Sequence, residues 1–138
     1  MTIENSLLGL NDELTALVTL ARERTAGIQG KAHLPGQGRV ALLVTAGPMK
    51  GSNFPINKPQ ILIGRATPNG FSEADVAIAD PKISRKHCVV EVHGLVALLV
   101  DLDSVNGTFI GGKRIANCEL VSLSEFQIGR TTLVFAIT

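Results

Sequence analysis

The hydrophobic positions change period close to residue 39. Before it, Ile3, Leu7, Leu10, Leu14, Leu17 and Ala21 recur at alternating steps of four and three. That is the single apolar stripe of an amphipathic helix, with a short heptad seam. The spacing predicts a helical segment over residues 1–26. Glu4, Asp12 and Glu13 fall toward its start and Arg22 and Arg24 toward its end, as the helix dipole prefers. Gly9-Leu10-Asn11 interrupts it, and Asn11 suits the cap of a fresh helix. Such a stripe is buried on the chain's own domain, in a self-association seam, or on a partner. Its polar face is acidic as often as basic, which argues against a membrane-surface helix. Residues 27–38 hold Gly27, Gly30, Gly36, Gly38 and Pro35 and read as a linker. His33 belongs to that solvated stretch and takes no role. The linker is expected to separate helix from domain, so that deleting residues 1–37 leaves ligand binding within a few-fold.

From Arg39 onward short apolar runs alternate with turn signals. Strands are expected at 40–44, 60–64, 76–78, 88–92, 96–101, 108–110, 119–121, 126–128 and 131–137. Residues 49–57 read as a loop or a short hairpin return. Ala46-Gly47-Pro48, Pro68-Asn69-Gly70, His93-Gly94 and Gly111-Gly112 mark turns, the last before Lys113-Arg114-Ile115. Many short strands with regular turns predict an all-β sandwich or barrel over residues 39–138.

Composition narrows the function. With 45% hydrophobic and 18% charged residues the chain is an ordinary globular protein. A net charge of +1, with no Trp and no Tyr, argues against a nucleic-acid partner and base-stacking platforms. Cys88 and Cys118 have no metal or redox spacing, and two scattered thiols fit a reducing compartment. No signal-peptide pattern opens the chain, and the apolar run Leu95 to Val100 is too short to span a bilayer. A cytoplasmic protein with no membrane insertion is expected. His33, His87, His93 and the cysteines are scattered, so no metal is expected. Neither a Walker A sequence nor a dinucleotide fingerprint is present, so no cofactor is expected either.

The chemistry concentrates in Pro81-Lys82-Ile83-Ser84-Arg85-Lys86-His87, which lies between two predicted strands. Asp80-Pro81 initiates a turn. Lys82, Ser84, Arg85, Lys86 and His87 bring three cations, a hydroxyl and an imidazole into one loop, a set suited to phosphate. Ile63-Gly64-Arg65 ends one strand, and Asp103-Ser104-Val105-Asn106-Gly107-Thr108 forms a turn carrying an amide. A hydrolase triad can be drawn from Ser84, His87 and Asp101 or Asp103. It lacks the G-x-S-x-G elbow and an oxyanion donor pair, so an enzyme is not expected.

Gly64-Arg65, then Ser84-Arg85-Lys86-His87, then Asn106-Gly107-Thr108, each at a strand end and in this order, resemble the forkhead-associated (FHA) domain family. The resemblance covers roughly residues 38–138. It implies a two-sheet antiparallel β-sandwich of about eleven strands with the binding loops at one end. It also implies phosphothreonine-dependent protein–protein interaction in Ser/Thr-kinase signalling. Arg65 offers a planar fork of donors to phosphate and Ser84 a hydroxyl. Asn106 suits a grip on peptide backbone. Arg85, Lys82 and Lys113 raise the local positive potential. Thr108 joins the peptide-binding set or braces the turn. Gly64, His87 and Gly107 support the loops, Gly107 by a positive φ. The family commonly has a second Asn-Gly pair where this chain has Gly111-Gly112. The alternative is a phospho-independent scaffold or oligomerisation protein with the same fold. Self-recognition of a phosphorylated Thr25, and self-association through the N-terminal helix, are further readings.

Overall fold

Eleven strands form two facing sheets, with one helix laid on the outside, in the computed structural model, which describes residues 10–25, 28 and 30–138. The strands are β1 (Val40–Ala46), β2 (Asn53–Ile56), β3 (Gln60–Arg65), β4 (Val76–Ile78), β5 (Cys88–His93) and β6 (Val96–Asp101), followed by β7 (Thr108–Ile110), β8 (Lys113–Ile115), β9 (Asn117–Val121), β10 (Ser124–Ile128) and β11 (Thr131–Ile137). One sheet has the order β2-β1-β11-β10-β7-β8 and the other β4-β3-β5-β6-β9. The expected β-sandwich is therefore present, and 49–57 includes a strand returning on β1.

Alternation builds the inner core. Val40, Leu42 and Val44 point inward from β1 and meet Ile61, Ile63, Cys88, Val90 and Leu99 of the facing sheet, with Phe126 and Phe135 between them. β5 and the middle of β6 are buried on both faces. Their outward residues Val89, Leu98 and Val100, together with Leu62 of β3, form a second cluster under the helix α1 (Asp12–Arg24). Val18 and Ala21 of α1 are wholly buried there, with Leu14 and Leu17 packed alongside. Burying one such valine stabilises by about 1.5–3 kcal/mol. Asn11 is the N-cap, its side chain accepting from the Leu14 N–H at 2.9 Å. The described part of the stripe is thus occupied by the chain's own sheet. Ile3, Glu4 and Leu7 of the predicted helical segment lie outside the described residues.

Charge ties the helix down as well. Glu91 is completely buried and accepts from Arg22 Nε at 2.8 Å, Gln60 Nε2 at 2.9 Å and His93 Nε2 at 2.8 Å. Burial pushes its carboxyl up, but the hydrogen bonds from Arg22, Gln60 and His93 outweigh this and hold it below the ordinary range. Residues around His33 are also docked. The His33 N–H donates to Val92 O and its carbonyl accepts from Gly94, in a parallel bridge beside β5. His33 therefore has a structural place that its solvated-linker reading lacked.

Two further details depart from the expected pattern. The β5–β6 turn is Gly94-Leu95, because His93 is drawn inward by Glu91. And β3 pairs with β4 in parallel, Arg65 opposite Ile78, within an otherwise antiparallel sheet. The chain crosses back through 66–75 before β4, as a parallel pair requires a long connection. Both strands consequently run out at the same end of the sandwich. Among the described residues no helix is long and apolar enough to cross a membrane.

Candidate functional site

The parallel pair delivers Arg65 and the start of the 79–87 loop side by side. That loop crosses directly over Gly64. A Cβ at Gly64 would lie 1.8 Å from the carbonyl oxygen of Arg85, so only glycine permits the approach. Arg65 then clasps the loop. Its backbone N–H donates to Ser84 O at 3.0 Å, and its Nη1 donates to Ile83 O at 2.8 Å. This fixes the half-buried guanidinium in one plane beside Ser84.

Buried groups hold the loop from beneath. Asp80 accepts from Lys82 N at 2.9 Å, Arg130 N at 2.8 Å and Thr131 Oγ1 at 2.7 Å. Burial acts to raise its carboxyl, but these bonds, chiefly that of Thr131, bring it below the ordinary value. Ile83 is buried in the inner core. His87 is also fully buried. Its Nδ1 accepts the Ser84 N–H at 3.0 Å, which places the proton on Nε2, and Nε2 donates to Gly107 O at 2.9 Å. Burial lowers its pKa and keeps it neutral, against a weaker upward pull from the Gly107 bond. His87 thus joins two loops from below.

The 102–107 loop is built on Asp101. Its carboxylate accepts Ser104 Oγ at 2.6 Å, Ser104 N at 3.1 Å and Thr108 Oγ1 at 2.7 Å. Ser104 Oγ accepts the Gly107 N–H at 3.0 Å. Gly107 has φ +89°, a region that favours glycine. Besides the His87–Gly107 bond, two more lock this loop to the first. Val105 N donates to Ser84 Oγ at 3.2 Å, and Asn106 Nδ2 donates to Lys82 O at 2.8 Å.

Arg65, Ser84, Lys82 and Asn106 are therefore bonded into one surface. Arg85 stands exposed beside them, sharing a hollow of about 120 Å³ with Arg65, Thr67, Phe71, Ser72, Glu73 and Lys86. Gly64, His87 and Gly107 lie underneath. Thr108 is fully buried and its hydroxyl donates to Asp101, the position of a residue that braces the turn. The supporting acids Asp80 and Asp101 were not singled out for this role from sequence. Asp80-Pro81 pointed to a turn, and Asp101 three residues before Ser104 has the spacing of a side-chain-to-backbone turn. With both acids consumed internally, the exposed charges of these loops are Lys82, Arg85 and Asp103, a cationic balance. The triad geometry is absent from these bonds. The imidazole of His87 meets the Ser84 backbone N–H, not its hydroxyl, and Nε2 is 4.0 Å from Asp101.

The FHA domain model matches residues 61–129, the span from β3 through β10 that holds all three loops. The chain belongs to the FHA domain family. Curated relatives include the glycogen accumulation regulator GarA of Mycolicibacterium smegmatis, 31% identical over 98% of this chain and 82% of that protein. The oxoglutarate dehydrogenase inhibitor of Corynebacterium glutamicum is 31% identical over 77% of this chain and 70% of that protein. Among solved structures, the FHA domain of FhaA, in complex with the intracellular domain of another protein, matches with a TM-score of 0.58 and 25% identity. That match covers 70% of this chain and 98% of that one. The eleven-stranded sandwich with its loops at one end is the FHA fold.

Proposed function

We propose that this FHA domain is a phosphothreonine-dependent protein interaction module acting in Ser/Thr-kinase signalling or a kinase-regulated assembly. The reading is supported by one arrangement above all: Arg65 and Ser84 are held side by side by a shared backbone bond, with Asn106 locked next to them. A phosphate carries about −1.5 to −2 charges at neutral pH. Arg65 and Ser84 donate to its oxygens, Arg85 and Lys82 add field, and Asn106 grips the peptide backbone. Hydrogen bonds to charged groups contribute roughly 1.5–3 kcal/mol each. The reading is of a binding protein and not an enzyme, since both ring nitrogens of His87 are engaged by backbone groups. The partner is a phosphothreonine protein of a kinase pathway rather than a nucleic acid. The relatives' names, a regulator and an enzyme inhibitor, extend the partner class to metabolic enzymes. Two thiols left unpaired fit a cytoplasmic setting.

The test is calorimetry of wild type and Arg65→Ala against matched phosphorylated and unphosphorylated threonine peptides. Arg65→Ala is expected to lose one or more decades of affinity, at ~1.4 kcal/mol per decade. Binding should weaken with salt, and again below about pH 6 as the phosphate gains a proton. Equal affinity for both peptides would leave a phospho-independent scaffold.

A further inference from the structure

We propose that His33 and His93 bind a divalent transition metal such as zinc, held between Nε2 of the first and Nδ1 of the second. This is independent of the phosphothreonine reading. The two histidines lie far apart in sequence and meet in the fold. They are partners in the parallel bridge beside β5, where His33 extends the lane of β3 past Gln60. Bridge partners put their side chains on one face of a sheet. The two rings stand 6.2 Å apart between centres and nearly perpendicular, at 83°.

Each ring has one bare nitrogen. His93 is 8% exposed, and its Nε2 donates to Glu91 Oε1 at 2.8 Å, which leaves Nδ1 as a lone pair. That Nδ1 is buried and meets no donor. A buried polar atom without a partner is uncommon and calls for an occupant. His33 Nδ1 donates to Lys31 O at 2.9 Å, so the lone pair of this ring is on Nε2. Nδ1 of His93 is the ring nitrogen next to the main chain. His33 Nε2 leans over the following residue, where a Cβ on Gly94 would come within 3.3 Å of it. Both lone pairs therefore lie at the His93-Gly94 step, with no hydrogen to set between them.

Two neutral imidazoles with free lone pairs suit zinc, nickel or copper, whereas calcium and magnesium take oxygen ligands. At nitrogen–metal bonds of about 2.0–2.1 Å, two rings on one ion stand roughly 5–6 Å apart between centres. A small turn of the exposed His33 ring closes the difference. Behind His93 stands the carboxylate of Glu91, which fixes the ring and its tautomer as outer carboxylates do for metal-bound histidines. Arg22 and Gln60 hold that carboxylate in turn. Among the described residues no third His, Cys, Asp or Glu completes a cluster, so water fills the remaining positions of the ion. The metal acts as a clip, fastening the segment that follows α1 to the end of β5.

The test is a zinc chloride titration of the full chain, read by thermal melting and by imidazole nitrogen NMR. The Tm should rise by about 3–6 °C at zinc tenfold over its dissociation constant, and a chelator should reverse the rise. Nε2 of His33 and Nδ1 of His93 should shift together. The signals of His87, whose ring nitrogens are both engaged, should stay in place as an internal control. His33→Gln keeps the backbone bridge and should abolish the rise, while Cys118→Ser, at the partly exposed thiol, should keep it. Rings left unmoved by zinc, a rise equal in His33→Gln and wild type, or a rise lost in Cys118→Ser overturns the proposal. Rings that zinc leaves unmoved but acid alone brings to a common transition assign the two lone pairs to a shared proton, and overturn it as well.

Discussion

The backbone N–H of Ser84 donates to Nδ1 of His87 across 3.0 Å, so a buried imidazole sets the shape of an exposed loop. Protonating Nδ1 removes that acceptor. Burial holds the His87 pKa below the ordinary 6.5, so the unfolded chain takes up the proton first. The associated stability is complete above about pH 6.5 and is lost as pH falls from there toward the folded value. Urea unfolding at about pH 7.5 and pH 5.5 should show this decline, and His87→Gln should flatten it. An undiminished decline in the variant would assign it to another group.

Gly64→Ala tests the crossing of the two loops. The added methyl meets a backbone carbonyl and cannot be relieved by rotating a side chain. A cost of at least about 1–3 kcal/mol is expected in denaturant unfolding, the range for overpacking. Phosphopeptide binding should fall even in the folded fraction, because Ser84 and Arg85 must move.

Asn106→Ala should leave the fold intact, since the side chain is exposed, and weaken peptide binding by about 1–3 kcal/mol. It also removes the bond to Lys82 O, while the Val105–Ser84 and His87–Gly107 bonds still join the two loops. Calorimetry paired with a thermal melt separates these outcomes. Loss of folding together with binding would make Asn106 a turn residue only.

Arg22→Ala should destabilise by about 3–5 kcal/mol, because it removes the arginine partner of a buried carboxylate and leaves it only the Gln60 and His93 bonds. Combining it with Glu91→Gln should recover part of that loss, and a double-mutant cycle in urea measures the coupling. Phosphopeptide affinity of the folded protein should be unchanged.

The strand series was legible because most runs were bounded by glycine or proline turns, which pointed to a sandwich or barrel; the two sheets of about eleven strands were implied by the family resemblance. The helix was legible as a stripe but not as a destination. Periodicity says that Leu14, Leu17 and Ala21 must be covered, not by what. A signal did exist: Cys88 to Val92 and Val96 to Val100 are almost continuously apolar, the mark of strands buried on both faces. Those strands need a cover, and Val18 supplies it outside the leucine stripe. The deletion of residues 1–37, expected from the glycine-rich stretch to be harmless to binding, would bare Val89 and Leu98 and leave Glu91 without Arg22. In the loops, the three-part motif pointed to Arg65, Ser84 and Asn106. Asp80 and Asp101 escaped notice because an acid supporting a cationic surface looks, in sequence, like any turn aspartate.

The tying of three loops by Asp80, His87 and Asp101 has a kinetic consequence. A site whose backbone donors are already fixed loses little conformational freedom when a peptide arrives. Encounter with a charged partner should then be fast and steered by the cationic rim, and most sensitive to ionic strength. Peptides that differ in their flanking residues should share nearly one association rate and separate in how long they stay, so residence time is where this domain distinguishes its partners.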